Sequence, residues 1–115
     1  MHTRDWRIRV EDMLDALSRI ARYTKDLTLT QFVEDERTID AVIRNLIVLG
    51  EAARLVPEEI AKQHAEIAWH KIRGLRNLAV HEYFSIDAEI LWETIRHDLP
   101  PLGPMLRKLL RGQVE

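Results

Sequence analysis

Arginine, asparagine, histidine and tyrosine stand at fixed offsets in one eight-residue stretch, Arg76–Tyr83, which reads Arg-Asn-Leu-Ala-Val-His-Glu-Tyr. An arginine holds a phosphate with a charged fork, and a histidine moves a proton near neutral pH. Such a pair could cleave a phosphodiester in RNA. His81 would take the 2′-hydroxyl proton or protonate the leaving oxygen, and Arg76 would stabilise the charge that grows on phosphorus. Two symmetry-related histidines could divide the base and acid roles without a metal. Asn77 could orient His81 or bind a phosphate oxygen, Arg73 lies on the same helical side as Arg76, and Tyr83 offers a hydroxyl open to modification.

The spacing imposes a geometric condition. On an ideal helix Arg76 and Tyr83, seven apart, stack along one side, whereas Arg76 and His81, five apart, diverge by about 140°. They converge only if the helix bends or ends near His81, or if Arg76 of one subunit works beside His81 of another. Taken alone, the spacing also admits plainer readings. A histidine at a helix end can stabilise the dipole. Arg73 and Arg76 can form a solvated face, and Tyr83-Phe84 can be core. His64, His70 and His81 lack metal-ligand spacing and the chain has no cysteine, so no metal or other cofactor is expected. No phosphate-cradling glycine loop or serine nucleophile motif occurs, and His2 and His97 read as surface residues.

A single all-α domain must position these residues. The 115-residue chain is 31% charged and 46% hydrophobic, with four glycines and four prolines, which suits one modest helical core. Its formal charge of −2 excludes broad, non-specific nucleic-acid binding. Yet Trp69–His81 carries Lys71, Arg73 and Arg76 and no acid, so anion binding must be local to Arg76. The charged N-terminal stretch does not suit a signal peptide, and the apolar run Leu46–Gly50 is far too short to span a membrane. A cysteine-free chain of this kind fits the cytoplasm.

Helical spacing of Trp6, Val10, Met13, Leu14, Leu17, Ile20 and Ala21 predicts a first helix to about Thr24, capped by Thr3 or Asp5. Thr30 is a candidate cap for a new start, with a short turn at residues 31–35. A second helix is expected over 38–56. Its stripe of Ile39, Val42, Ile43, Leu46, Ile47, Gly50 and Ala53 is supplemented by Val48 and Leu49, which predicts either a central core helix or a face that meets another subunit. A short helix should follow Pro57. A third main helix is expected from about Ile67 to Val80 or slightly beyond, burying Ala68, Ile72, Leu75 and Ala79. Ser85 or Asp87 should cap a fourth, which Pro100-Pro101 ends, and Leu102 to Leu110 form the last.

The Arg76–Tyr83 segment resembles the Arg-x4-His-x-Tyr motif of HepT-like toxins in the HEPN superfamily. Asp35-Glu36-Arg37, Leu49-Gly50-Glu51-Ala52, Trp69, Tyr83-Phe84, Ile90 to Glu93 and Asp98 to Leu102 are similar to that family in the same order, over most of the chain. The resemblance implies a HEPN-type up-and-down bundle of four to five main helices, homodimeric, with the motif in a cleft between subunits. It also implies a metal-independent endoribonuclease, the toxin of a toxin–antitoxin pair. The implied partner is an MntA-type nucleotidyltransferase antitoxin that silences the toxin by transferring AMP to Tyr83. Arg76 and His81 are then the catalytic pair, with Asn77 and Arg73 supporting or binding RNA. The chain departs at Leu78, where many members carry a second basic residue, which implies weaker substrate binding. The alternative is a non-catalytic helical module that binds a nucleotidyltransferase, with or without a nucleotide.

Overall fold

The protein is seen in a computed structural model that describes the backbone of residues 3–85 and 87–112 and the side chains of residues 6–82 and 87–112. The expected caps Thr3, Asp5 and Ser85, the expected surface residue His2 and the Tyr83 side chain fall outside that description.

Two long helices form the frame, α1 (Thr3–Thr24) and α3 (Glu36–Arg54), joined through the short α2 (Leu29–Val33). They bury Trp6, Val10, Met13 and Ile20 of α1 and Val42, Leu46, Leu49 and Ala53 of α3. Each fully buried large aliphatic contributes roughly 1.5–3 kcal/mol, against about 0–1 kcal/mol for an exposed ion pair, so this stripe and not the surface charge holds the frame. Leu49 is wholly buried while Val48 stays 37% exposed. The extra apolar width of α3 thus divides between core and surface.

The starts of α2 and α3 are written locally. Thr28, two residues before the expected cap Thr30, caps α2 in a reciprocal box with Gln31. Thr30, the expected cap, lies inside α2. Asp35 caps α3 by accepting from the Thr38 amide and hydroxyl, so the helix begins at Glu36, slightly before the expected residue 38. These bonds hold the Asp35 carboxyl below the usual carboxylate range, the Thr38 hydroxyl having the largest effect.

Pro57 precedes α4 (Glu58–Gln63), as expected. The expected third helix is two: α5 (Trp69–Arg73) and α6 (Leu75–Ser85), interrupted at Gly74. Ala68, expected in the core, is exposed just before α5, whereas Ile72, Leu75 and Ala79 are buried. Asp87 caps α7 (Ala88–Glu93), which runs on into a π-helical turn at Thr94–Asp98. Within that turn Leu99 donates to the Thr94 carbonyl, and the Thr94 hydroxyl donates back to Ile90.

The turn carries Arg96, which donates to the Thr24 and Leu27 carbonyls at 2.8 and 3.0 Å, at the end of α1 and just past it. Its guanidinium lies 4.1 Å from the centre of the Trp92 ring, and that ring packs on Phe32. The last helix, α8 (Leu102–Gly112), follows Pro100-Pro101 and returns along α1. The described residues are all-α, with α1, α3, α5–α6, α7 and α8 as five main rods, in line with the expected bundle. No helix among them is long and apolar enough to cross a membrane.

Candidate active site

Helix α6 is set against α3 by the absence of a side chain. A Cβ added at Gly50 would lie 2.8 Å from the Arg76 backbone nitrogen and 3.1 Å from the Arg76 Cβ. Only a glycine lets the two backbones approach this closely. The chain directions follow from two further contacts. Arg73 donates through Nε to the Ala53 carbonyl at 3.2 Å and through Nη2 to the Val56 carbonyl at 3.4 Å. Residues 73 and 76 therefore meet residues 53 and 50, and α5–α6 runs antiparallel to α3.

Arg73 is spent on the scaffold: besides capping the end of α3 it pairs with Glu58 at 3.2 Å and lies 5.9 Å from the Trp69 ring centre. Its guanidinium has little left for a phosphate. Arg76, one turn on, is 52% exposed, and its nearest carboxylate is Glu51 at 4.0 Å. Glu51 accepts its hydrogen bonds from Arg54 instead, with a shortest contact of 3.0 Å. Those bonds, followed by the charges of Arg54 and Arg76, hold the Glu51 carboxyl below its ordinary range against some desolvation. An exposed pair at this distance is worth at most about 1 kcal/mol, so the Arg76 fork can be surrendered to a phosphate at low cost.

Around α6 the burial pattern is sharply divided. Leu75, Ala79 and Glu82 point inward, while Arg76, Asn77, Val80 and His81 are exposed. At 100° per residue the exposed set fills an arc of about 140°, with Arg76 and His81 at its two edges and Val80 and Asn77 between them. The helix continues to Ser85, so it does not end at His81, and the expected divergence of Arg76 and His81 holds within one chain. The His81 side chain is 75% exposed, and its Nε2 lies 3.8 Å from Oε1 of the buried Glu82. Tyr83 follows on the same helix.

Glu82 escaped the sequence reading. A glutamate between a histidine and a tyrosine reads as a solvated charge, and only the burial pattern shows it as a buried carboxylate beside His81. A cavity of about 700 Å³ opens on the inner flank of α6, with Gly74, Leu78, Thr94, His97 and Asp98 in its wall. Arg76 and His81 do not line it, so the candidate chemistry sits on an open face. Among the described residues no cluster of three or more metal-ligating side chains occurs.

The sequence model of the family described as Ribonuclease HepT-like matches residues 13–109, from the middle of α1 to the end of α8. The chain belongs to this family. It is 34% identical over 100 residues to a probable ribonuclease HepT of Thermococcus cleftensis, covering 87% of this chain and 91% of that one. It is also similar to probable RNases of Methanocaldococcus jannaschii (31% over 102 residues, covering 89% and 94%) and Caldanaerobacter subterraneus (30% over 104 residues, covering 90% and 93%). No solved structure matches.

The close approach at Gly50 predicts an asymmetry between two glycines. Gly50→Ala should lower unfolding stability by about 1–3 kcal/mol, seen as a lower urea midpoint, because backbone must move. Gly74→Ala, whose Cβ would meet nothing nearer than 3.4 Å, should change the midpoint little.

Proposed function

We propose that this protein is a metal-independent endoribonuclease, the toxin of a HepT/MntA-type pair, acting in the cytoplasm as a homodimer. The observation that carries the reading is the outward arc of α6. In a chain of the ribonuclease HepT-like family, it presents an arginine with a weak counter-ion and an exposed histidine, five residues apart.

In the reaction His81 takes the proton of the RNA 2′-hydroxyl, the 2′ oxygen attacks phosphorus, and the 5′ oxygen leaves with a proton from a second acid. Arg76 holds the non-bridging oxygens as their charge grows. Asn77, between them on the arc, is placed to bind a phosphate oxygen or steady His81. The framework contacts of Arg73 leave it a supporting role.

The divergence of Arg76 and His81 on one continuous helix supports a site completed by a second copy, whose His81 would work beside this chain's Arg76. Val80, within the arc and 38% exposed, provides apolar surface for such a contact.

Silencing by an MntA-type nucleotidyltransferase follows from charge and bulk. Transfer of AMP from ATP to the Tyr83 hydroxyl, with release of pyrophosphate, would set a phosphate on the side of α6 that also carries Arg76. That group would occupy and repel the substrate position.

Purified, unmodified protein should cleave RNA in the presence of EDTA, and His81→Ala should lose cleavage by on the order of 10²-fold or more while retaining its melting temperature. Equal cleavage by the variant would sink the assignment and leave a non-catalytic partner-binding module. Mixing inactive Arg76→Ala with inactive His81→Ala should restore part of the activity in mixed dimers. If the site is complete within one chain, the mixture stays inactive. Incubation with the partner nucleotidyltransferase and ATP should add AMP to the Tyr83 peptide by mass spectrometry and abolish cleavage, and Tyr83→Phe should escape both. An unmodified Tyr83 peptide would refute the switch.

A further inference from the structure

Glu82 is the anomaly of the site helix. Its side chain is 2% exposed, and Oε2 is buried with no hydrogen-bond partner among the described residues. Glutamate is almost never fully buried unless paired, and an orphaned buried oxygen weakens the fold. The basic group beside it is His81, whose Nε2 lies 3.8 Å from Oε1. The two residues are about 100° apart on α6, one on the buried face and one on the exposed arc. A carboxylate retained at a structural cost, directly under a histidine in a candidate active site, calls for a functional explanation.

We propose that Glu82 is the positioning residue of His81. Its Oε1 faces Nε2, so it favours the neutral tautomer that carries hydrogen on Nε2 and leaves the Nδ1 lone pair free to accept a proton. When the 2′-hydroxyl proton passes to Nδ1, the O–H bond breaks and an imidazolium forms, and the Glu82 carboxylate stabilises that cation without taking a proton itself. A buried acid behind an imidazole orients it and stabilises its charged form in the same way in serine hydrolases. Burial keeps water from competing for Oε1 and keeps the carboxylate from swinging onto Arg76, where it would block the phosphate. The carboxylate of Glu51 thus stays with Arg54 beside Arg76, and that of Glu82 stays under His81.

This assignment rests on His81 as the proton-transfer group, and the experiment separates the two. Glu82→Gln keeps the shape and removes the charge. Its kcat on an RNA substrate should fall by about 10–100-fold with KM little changed. Its melting temperature should hold or rise, because a half-unpaired buried carboxylate is removed. In the His81→Ala background, single-turnover rates should show no further loss on adding Glu82→Gln. Without RNA, ¹⁵N shifts of the His81 ring should report hydrogen mainly on Nε2 in the parent and a more even mixture in Glu82→Gln.

Glu82→Gln cleaving like the parent, beside an inactive His81→Ala, removes the role of Glu82 and leaves the ribonuclease reading standing. A melting temperature that falls with the rate, or ring shifts indifferent to Glu82→Gln, also overturns the assignment and makes Glu82 a scaffold residue. His81→Ala cleaving like the parent removes the ribonuclease reading itself.

Discussion

The contact between the bare Cα of Gly50 and the backbone of Arg76 is the constraint on which the site depends. Helix α3 is a long amphipathic rod that would ordinarily keep a neighbour at side-chain distance, about 8–10 Å between axes. Removing one Cβ at its waist lets the first turn of α6 settle onto it. The glycine costs α3 roughly 1 kcal/mol of helix propensity relative to alanine. The return is positional: the register of α6 against α3 is fixed at Arg76, the candidate phosphate-binding residue. Everything further along α6, His81 and Tyr83 included, inherits its rotation from that point.

Three arginines illustrate how the fold sorts one residue type into different work. Arg73 and Arg96 donate to carbonyls in the last turn of α3 and α1 and just beyond it, each with an aromatic ring nearby, and so tie the connections of the bundle to its helices. Such charge-assisted bonds to backbone are worth about 1.5–3 kcal/mol each. Arg76 has no carbonyl to cap. Its only ionic neighbour among the described residues is a glutamate whose hydrogen bonds belong to Arg54. Pairing decides the difference between fastener and candidate catalyst, and pairing depends on where each carbonyl falls in space.

That dependence also explains what could be read from the chain alone. Helices α1, α3 and α8 were legible because their stripes repeat over three or more turns, and Asp87 marks a start by short-range chemistry. The break at Gly74 was hidden because Ile72, Leu75 and Ala79 keep helical spacing across it. Thr28 outcompeted Thr30 as a cap because Gln31 answers it three residues on, closing a reciprocal box that Thr30 cannot make. The π-helical turn carries no periodic signature, and nothing local in the sequence marks its Arg96 as a tie to the end of α1. The site motif was legible as residue types, while the commitment of Arg73 and the burial of Glu82 are tertiary facts.

The geometry of α6 sets a last condition on any chemistry there. Arg76 and His81 stand about 7.5 Å apart along the axis and point about 140° apart around it. The helix continues past both, so no kink at His81 can bring them together. A single phosphate held in the Arg76 fork is therefore out of line with the imidazole of the same chain. In the proposed homodimer the two arcs face each other, and the edge of one arc that carries Arg76 meets the edge of the other that carries His81. The apolar Val80 in the middle of each arc then has a reason to be exposed: in a two-fold contact it can meet the partner's apolar surface and exclude water from between the two catalytic edges. A rigid helix with its two reactive residues at the margins of one face makes half a site well, and two copies would make a whole one.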